Sequence, residues 1–219
     1  SYVEDTIDFN SLKDYSDYKK IVKESLTSLK NIEIATTDLI NSLKENNLMY
    51  AEVFLNLDDF KKELKKRDIV TTILKVIKDS KININLVLEI ETVITKEEMF
   101  NDLNILYEWY NKGINGVYFK KTKQETWDSY QALFDKFNKD KIDYIVCLDS
   151  KLTNQNKEIY YNAKRIIYNL FEEPTDNFYK VIKDNNIILE FPITYQATYH
   201  IFDEVKNHFV YDLFKDNIS

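Results

Sequence analysis

Apolar residues recur at helical spacing through residues 12–46: Tyr18, Ile21, Val22, Leu26 and Leu29, then Ile32, Ile34, Leu39, Ile40 and Leu43. This period predicts a short helix and a longer one that ends near Asn46-Asn47. The pattern then changes. Leu48–Leu55 is short, apolar and bounded by polar turns, which predicts a buried strand. A helix over about 67–79 leads to Ile84–Ile90, an apolar run suited to a parallel sheet covered on both faces. Thr95 and Glu98 have capping-box spacing and open a predicted helix to Asn111, closed by Gly113. The alternation continues with a strand at Asn115–Phe119, a helix at about 124–138, a strand at Tyr144–Leu148, a helix at 153–162 and a strand at Arg165–Tyr168. Pro174 is placed as a first helical residue, with the helix running to Asp184. A strand at Ile187–Phe191 and a last helix over about 203–215 complete the series.

About six strands, each followed by a helix, imply parallel strands joined by right-handed crossovers. Units of roughly 25–35 residues without a glycine-rich first turn favour a TIM-type (β/α) barrel over a doubly wound sheet. A complete barrel has eight strands and typically about 250 residues. The expected architecture is therefore a single domain over 1–219, an incomplete or degenerate (β/α) barrel preceded by helices in 12–46.

Composition narrows the chemistry. The chain has 219 residues and a formal net charge of −7, which opposes a sequence-independent grip on nucleic acid. The one basic cluster, Lys61, Lys62, Lys65, Lys66 and Arg67, is interrupted by Glu63 and Leu64 and is expected to be a solvated helix face. The two glycines both lie in Lys112-Gly113-Ile114-Asn115-Gly116-Val117. That segment is neither a phosphate-cradling loop nor a dinucleotide fingerprint. One cysteine and two histidines rule out a disulfide framework and a structural zinc of the usual kind. There is no run of about 18 apolar residues to span a membrane. The acidic start lacks the pattern of a signal peptide, so a cytoplasmic location is expected. The missing initiator Met points to a processed, trimmed or fragmentary chain.

The order of segments resembles the adenosine/AMP deaminase family, zinc-dependent purine deaminases built on a (β/α)8 barrel. Asn47–Val53 is similar to that family's second strand, Ile84–Leu88 with Thr95–Glu98 to its third strand and following helix, and Asn115–Phe119 to its fourth. Tyr144–Ser150 falls where the family has T-x-H-A-G-E, and Arg165–Asn169 where it has R-I-G-H-G. Ile187–Thr194 resembles I-x-L-E-x-C-P-T, and Lys206–Phe214 the helix that begins with His-Pro.

The resemblance holds at framework positions and fails at chemical ones. It places Cys147 at a metal-ligating His, Ser150 at the acid/base Glu, Tyr168 at the water-orienting His and Lys121 at a substrate-contacting Gly. The family's H-x-H strand and its S-x-N-T-D-D strand have no counterpart. Hydrolytic deamination needs a Lewis acid held by three or four ligands and an acid/base within reach of the purine ring. The resemblance therefore implies a catalytically inactive relative, without cofactor, that serves as a scaffold or binding partner in an assembly. A homo-oligomer or a protein partner fits its acidic, Tyr-rich composition. Two further readings stay open. One is a divergent zinc-dependent deaminase with ligands outside this chain; the other is a non-catalytic purine-nucleoside binder.

Candidate rim residues are Tyr118, Asp149 and Tyr168, where large rings would fill the barrel mouth. Glu89 and Glu91, two apart near a strand end, share one face and form a paired-carboxylate candidate set against a solvated loop. Asp149, Asp58 and Asp59 are candidates for a cation site. Cys147 reads as a buried strand thiol, His208 as a capping or packing residue, and His200 as an unlikely ligand.

Overall fold

The computed structural model describes residues 12–91, 96–120, 130–148, 157–169, 174–192 and 208–210. Two helices, α1 (Leu12–Ser25) and α2 (Leu29–Glu45), precede an alternating series. That series is β1 (Tyr50–Asn56), α3 (Lys66–Asp79), β2 (Asn83–Glu91), α4 (Lys96–Trp109), β3 (Ile114–Lys120), α5 (Gln131–Asp140), β4 (Tyr144–Leu148), α6 (Lys157–Tyr161), β5 (Arg165–Tyr168), α7 (Asp176–Asp184) and β6 (Ile188–Glu190). A 3-10 turn, Leu57–Asp59, links β1 toward α3.

Helix α2 shows how local chemistry sets the boundaries. The Ser28 hydroxyl accepts from the Asn31 N–H at 3.1 Å, capping the first turn, and Ile32, Thr36 and Ile40 bury one stripe. At the other end Asn47 takes a left-handed conformation, φ 57°. The Leu48 and Asn47 N–H groups then bond to the Leu43 and Lys44 carbonyls, a Schellman closure. Leu48 thus belongs to the helix cap, so the strand begins at Tyr50 rather than at Leu48, and Met49 is 85% exposed. Helix α7 closes in the same way on Asn186, φ 52°. Asn111 and Lys141 also sit at positive φ where helices end. In a chain with so few glycines, asparagine, whose short polar side chain tolerates this region, takes over much of the glycine's role.

Several predicted ends move for similar reasons. Thr175, whose hydroxyl accepts from the Phe178 N–H at 3.3 Å, is the N-cap of α7; Pro174 precedes the cap instead of opening the helix. Helix α4 stops at Trp109. Thr95, residues 121–129 and nearly all of the predicted last helix lie outside the described residues. Gly113 is required as glycine: its φ is +128°, and a Cβ there would lie 2.4 Å from Leu74 Cδ2. Gly113→Ala is expected to cost about 2 kcal/mol, read from a denaturant midpoint with unchanged slope. An unchanged midpoint would show that the turn relaxes freely.

The strands form one parallel sheet in the order β1-β2-β3-β4-β5-β6. Side chains alternate along β2: Ile84, Leu86, Leu88 and Ile90 are buried on the helix side, while Asn85, the buried Val87, Glu89 and Glu91 lie on the opposite pleat face. The register carries this division across the sheet. At the β2–β3 step Leu86 pairs with Ile114 and Val87 with Gly116, which leaves Asn115 as an extra residue in a bulge. The helix-facing core is aromatic at its centre. Phe134 of α5 lies 5.3 Å from Phe119 and 4.8 Å from Tyr144, centroid to centroid. Helix α2 packs on α3.

The sheet is curled. Strands β1 and β5 are four places apart in the sheet order, about 19 Å apart were it flat, beyond the joint reach of an arginine and a glutamate. Yet Arg165 of β5 contacts Glu52 of β1 at 2.5 Å. The architecture is a half-barrel with its lumen on the face that carries Glu52, Glu89 and Arg165, an incomplete TIM-type barrel as expected. Among the described residues no helix is long and apolar enough to cross a membrane.

Candidate functional site

In parallel (β/α) folds the C-terminal strand ends carry the chemistry, and here these ends assemble a polar mouth. Asn56 closes β1, Glu89 and Glu91 close β2, and Lys120 closes β3. Asn56 pairs with Glu89 and Lys120 with Glu91 in the ladder, so all four project on the lumen face. The Lys120 ammonium is 3.1 Å from Glu91 Oε1 and 3.6 Å from Glu89 Oε1. Burial alone would lower the Lys120 pKa, but the charge of Glu89 and the hydrogen bond to Glu91 outweigh it and raise it. Asn56, 8% exposed, accepts from the Asp58 N–H through Oδ1 at 2.9 Å and donates through Nδ2 to Glu91 at 3.3 Å. Below them Tyr118 meets Phe54 edge-on, with centroids 5.4 Å apart.

The sequence candidates separate in this geometry. Glu89 and Glu91 come together with Lys120 and Asn56, so the carboxylate pair is a seated ion cluster rather than a solvated loop. Tyr118 faces the lumen. Tyr168 does not: it pairs with Leu148, which places it on the helix face. There it packs 5.9 Å from Phe178 and 5.6 Å from Phe191, so it cannot fill the barrel mouth. Cys147 pairs with Ile167, one residue earlier, and takes the lumen face.

Asp58 and Asp59 do not line a cation site open to a ligand: Asp58 binds Lys66 at 2.6 Å and Asp59 pairs with Lys23. The His208 Nδ1 accepts from the Val210 N–H at 3.1 Å, and the ring stacks near Phe209. Burial lowers its pKa. Asp149, Ser150, Lys121 and His200 lie outside the described residues.

The basic cluster is only partly a solvated face. Lys66 bridges Asp58 and the buried Asp102, at 2.6 and 2.7 Å, and Arg67 binds Glu108 at 2.6 Å. Burial pushes the Asp102 carboxyl up to about 6, with the Lys66 hydrogen bond opposing it. Sequence reading passed over Asn56, Lys120, Asp102 and Arg165. The available signal was a charged residue that closes an apolar run, as Lys120 does after Val117-Tyr118-Phe119.

The fold family implied by the resemblance carries zinc, which takes three or four N, S or O ligands. Of the described residues at the lumen mouth only Cys147 offers a soft donor, and the two carboxylates already hold the Lys120 ammonium. Among the described residues no group of three or more His, Cys, Asp or Glu is placed to hold a metal ion. The described donor set does not fit the metal.

No protein-family model and no curated protein matches the chain. Solved structures do. The N6-methyl-AMP deaminase of Arabidopsis thaliana superposes with a TM-score of 0.77 at 15% identity, over 95% of this chain and 66% of that one. The adenine deaminase of Arthrobacter aurescens gives 0.74 at 9% identity, over 96% and 67%. A zinc-bound amidohydrolase of Burkhoderia ambifaria gives 0.66 at 12%, over 84% and 54%. The chain spans about two-thirds of the length of the Arabidopsis and Arthrobacter structures. At such identities the likeness is one of fold. That fold is a (β/α) barrel, and the structures that share it are adenosine/AMP deaminase-like amidohydrolases.

Proposed function

We propose that the chain is a non-hydrolytic protein on the purine-deaminase barrel, acting as a binding partner within a larger assembly. The observation that carries this reading is Lys120. Its ammonium lies against Glu89 and Glu91 at the lumen mouth, so the paired carboxylates hold an internal cation at the place where an active site would present them to a substrate. The outer edges of β1 and β6 have no strand partner among the described residues, and unpaired edges favour association. Leu48, Met49, Tyr50 and Ile188 are exposed on these two strands or beside them.

A second reading, a divergent zinc-dependent purine deaminase with further ligands outside this chain, is favoured by one observation: Cys147 faces the lumen near the end of β4. The two separate on direct assay. The first predicts no ammonia or methylamine release from adenosine, AMP or N6-methyl-AMP, no stoichiometric zinc in the purified protein, and a light-scattering mass above the 26.2 kDa of one chain. Turnover abolished by a chelator and restored by zinc would establish the second. A thermal shift with a nucleoside but without turnover would instead identify a purine binder.

A further inference from the structure

Arg165 is the first residue of β5, yet its side chain serves three strands. One guanidinium nitrogen contacts Glu190 of the adjacent strand β6 at 2.5 Å, and the other contacts Glu52 of β1 across the lumen at 2.5 Å. These two contacts differ in what they hold. Strand β6 is already tied to β5 by the ladder pairing Arg165 with Ile188 and Ile167 with Glu190. Among the described residues strand β1 pairs only with β2, so no described backbone pairing holds it to the far side of the curl. The Arg165 side chain is 16% exposed and that of Glu52 26%, a charge-assisted pair partly withdrawn from water and stronger than a surface ion pair.

We propose that the Arg165–Glu52 pair is the latch of a lateral gate: when it parts, β1 swings from the far wall and the lumen opens between β1 and β6, whose outer edges have no strand partner among the described residues. Motion of this kind needs a hinge that keeps its pairing and a free edge that does not. The β2–β3 step, where the bulge at Asn115 interrupts the register, supplies the first, and the outer edge of β1 the second. Because the latch is electrostatic, opening responds to loss of one charge without loss of the core.

The single cysteine of the chain reports on this gate. Cys147 lies on the lumen face of β4, a strand opposite that opening, and is half-buried. Its reaction with 5,5′-dithiobis(2-nitrobenzoate) under native conditions therefore measures access to the lumen. Glu52→Gln, which keeps the side-chain shape, should speed labelling at least fivefold over wild type, while Glu190→Gln should change it less than twofold. In both variants the labelling should stay faster than global unfolding measured on the same protein. Wild type should also label faster in 1 M salt, and Glu52→Gln should be less sensitive. Equal rates for the two variants, an unchanged rate in Glu52→Gln, labelling that merely tracks global unfolding, or a wild-type thiol that already reacts as fast as a small free thiol would each overturn the gate. Enzymatic turnover bears on the proposed function and leaves this measurement unaffected.

Discussion

Lys66→Met is expected to lower stability at pH 8 by about 3 kcal/mol, a fall in melting temperature of roughly 10 °C for a domain of this size. The reason is the residue it leaves behind. Asp102 of α4 is 1% exposed, and its nearest cation is the Lys66 ammonium at 2.7 Å. Without that ammonium a buried carboxylate stands beside Asp58 and Glu98, both of which raise its pKa. The pH dependence gives the signature. The folded carboxyl has a pKa of about 6 against an ordinary 3.8, so the folded chain binds this proton more tightly than the unfolded one. Its contribution to stability is therefore fully present below the unfolded value and lost as pH rises through 6. For Lys66, burial alone lowers the pKa, but the hydrogen bonds to Asp102 and Asp58 prevail and raise it; its share is lost only at strongly alkaline pH. Removing Lys66 pushes Asp102 higher still, so the deficit should shrink as pH falls from 8 to 5 and the carboxyl is neutralised. Guanidinium unfolding of both proteins at the two pH values checks this, and a deficit independent of pH would show that the ammonium does not hold Asp102.

Phe134→Ala should cost about 3–5 kcal/mol. The ring is fully buried and touches β3 through Phe119, β4 through Tyr144 and its own helix through Phe137. It joins two strands to the helix that crosses between them, so the void cannot be refilled by moving one element alone. The control is Phe100→Ala on α4: that ring is 63% exposed, and its loss should be within about 0.5 kcal/mol of neutral. A comparable loss in the two variants would contradict the placement of the core. Near-ultraviolet circular dichroism should change for Phe134→Ala and not for Phe100→Ala.

The order of strands was readable because each combines an apolar stripe with flanking polar turns, as Asn83-Ile84-Asn85-Leu86-Val87-Leu88 does. Their exact ends were less so. Leu48 and Met49 look like strand by type, but the Schellman closure after α2 claims the first and leaves the second in solvent. The mouth was half visible: Glu89 and Glu91 stand out as acids two apart, whereas Asn56 and Lys120 gain meaning only from a register that brings β1, β2 and β3 level. Tyr168 shows the cost of counting without register. It follows Ile167, which pairs with the lumen-facing Cys147, so a single step along the strand moves the ring to the other side of the sheet. Arg165 reads as an ordinary strand residue until the curl carries Glu52 round to meet it.

Every strand in this sheet finds its neighbour in the next unit along the chain. Such nearest-neighbour wiring keeps loop-closure entropy small at each step and lets the units dock one after another as they emerge during synthesis. The Glu52–Arg165 contact joins points far apart in sequence and forms only once β5 has docked, late in that progression. Molecules stalled before β5 would carry ordered early units with an untethered first strand, and that strand is the segment most exposed to pairing with a neighbour while the chain is still being made.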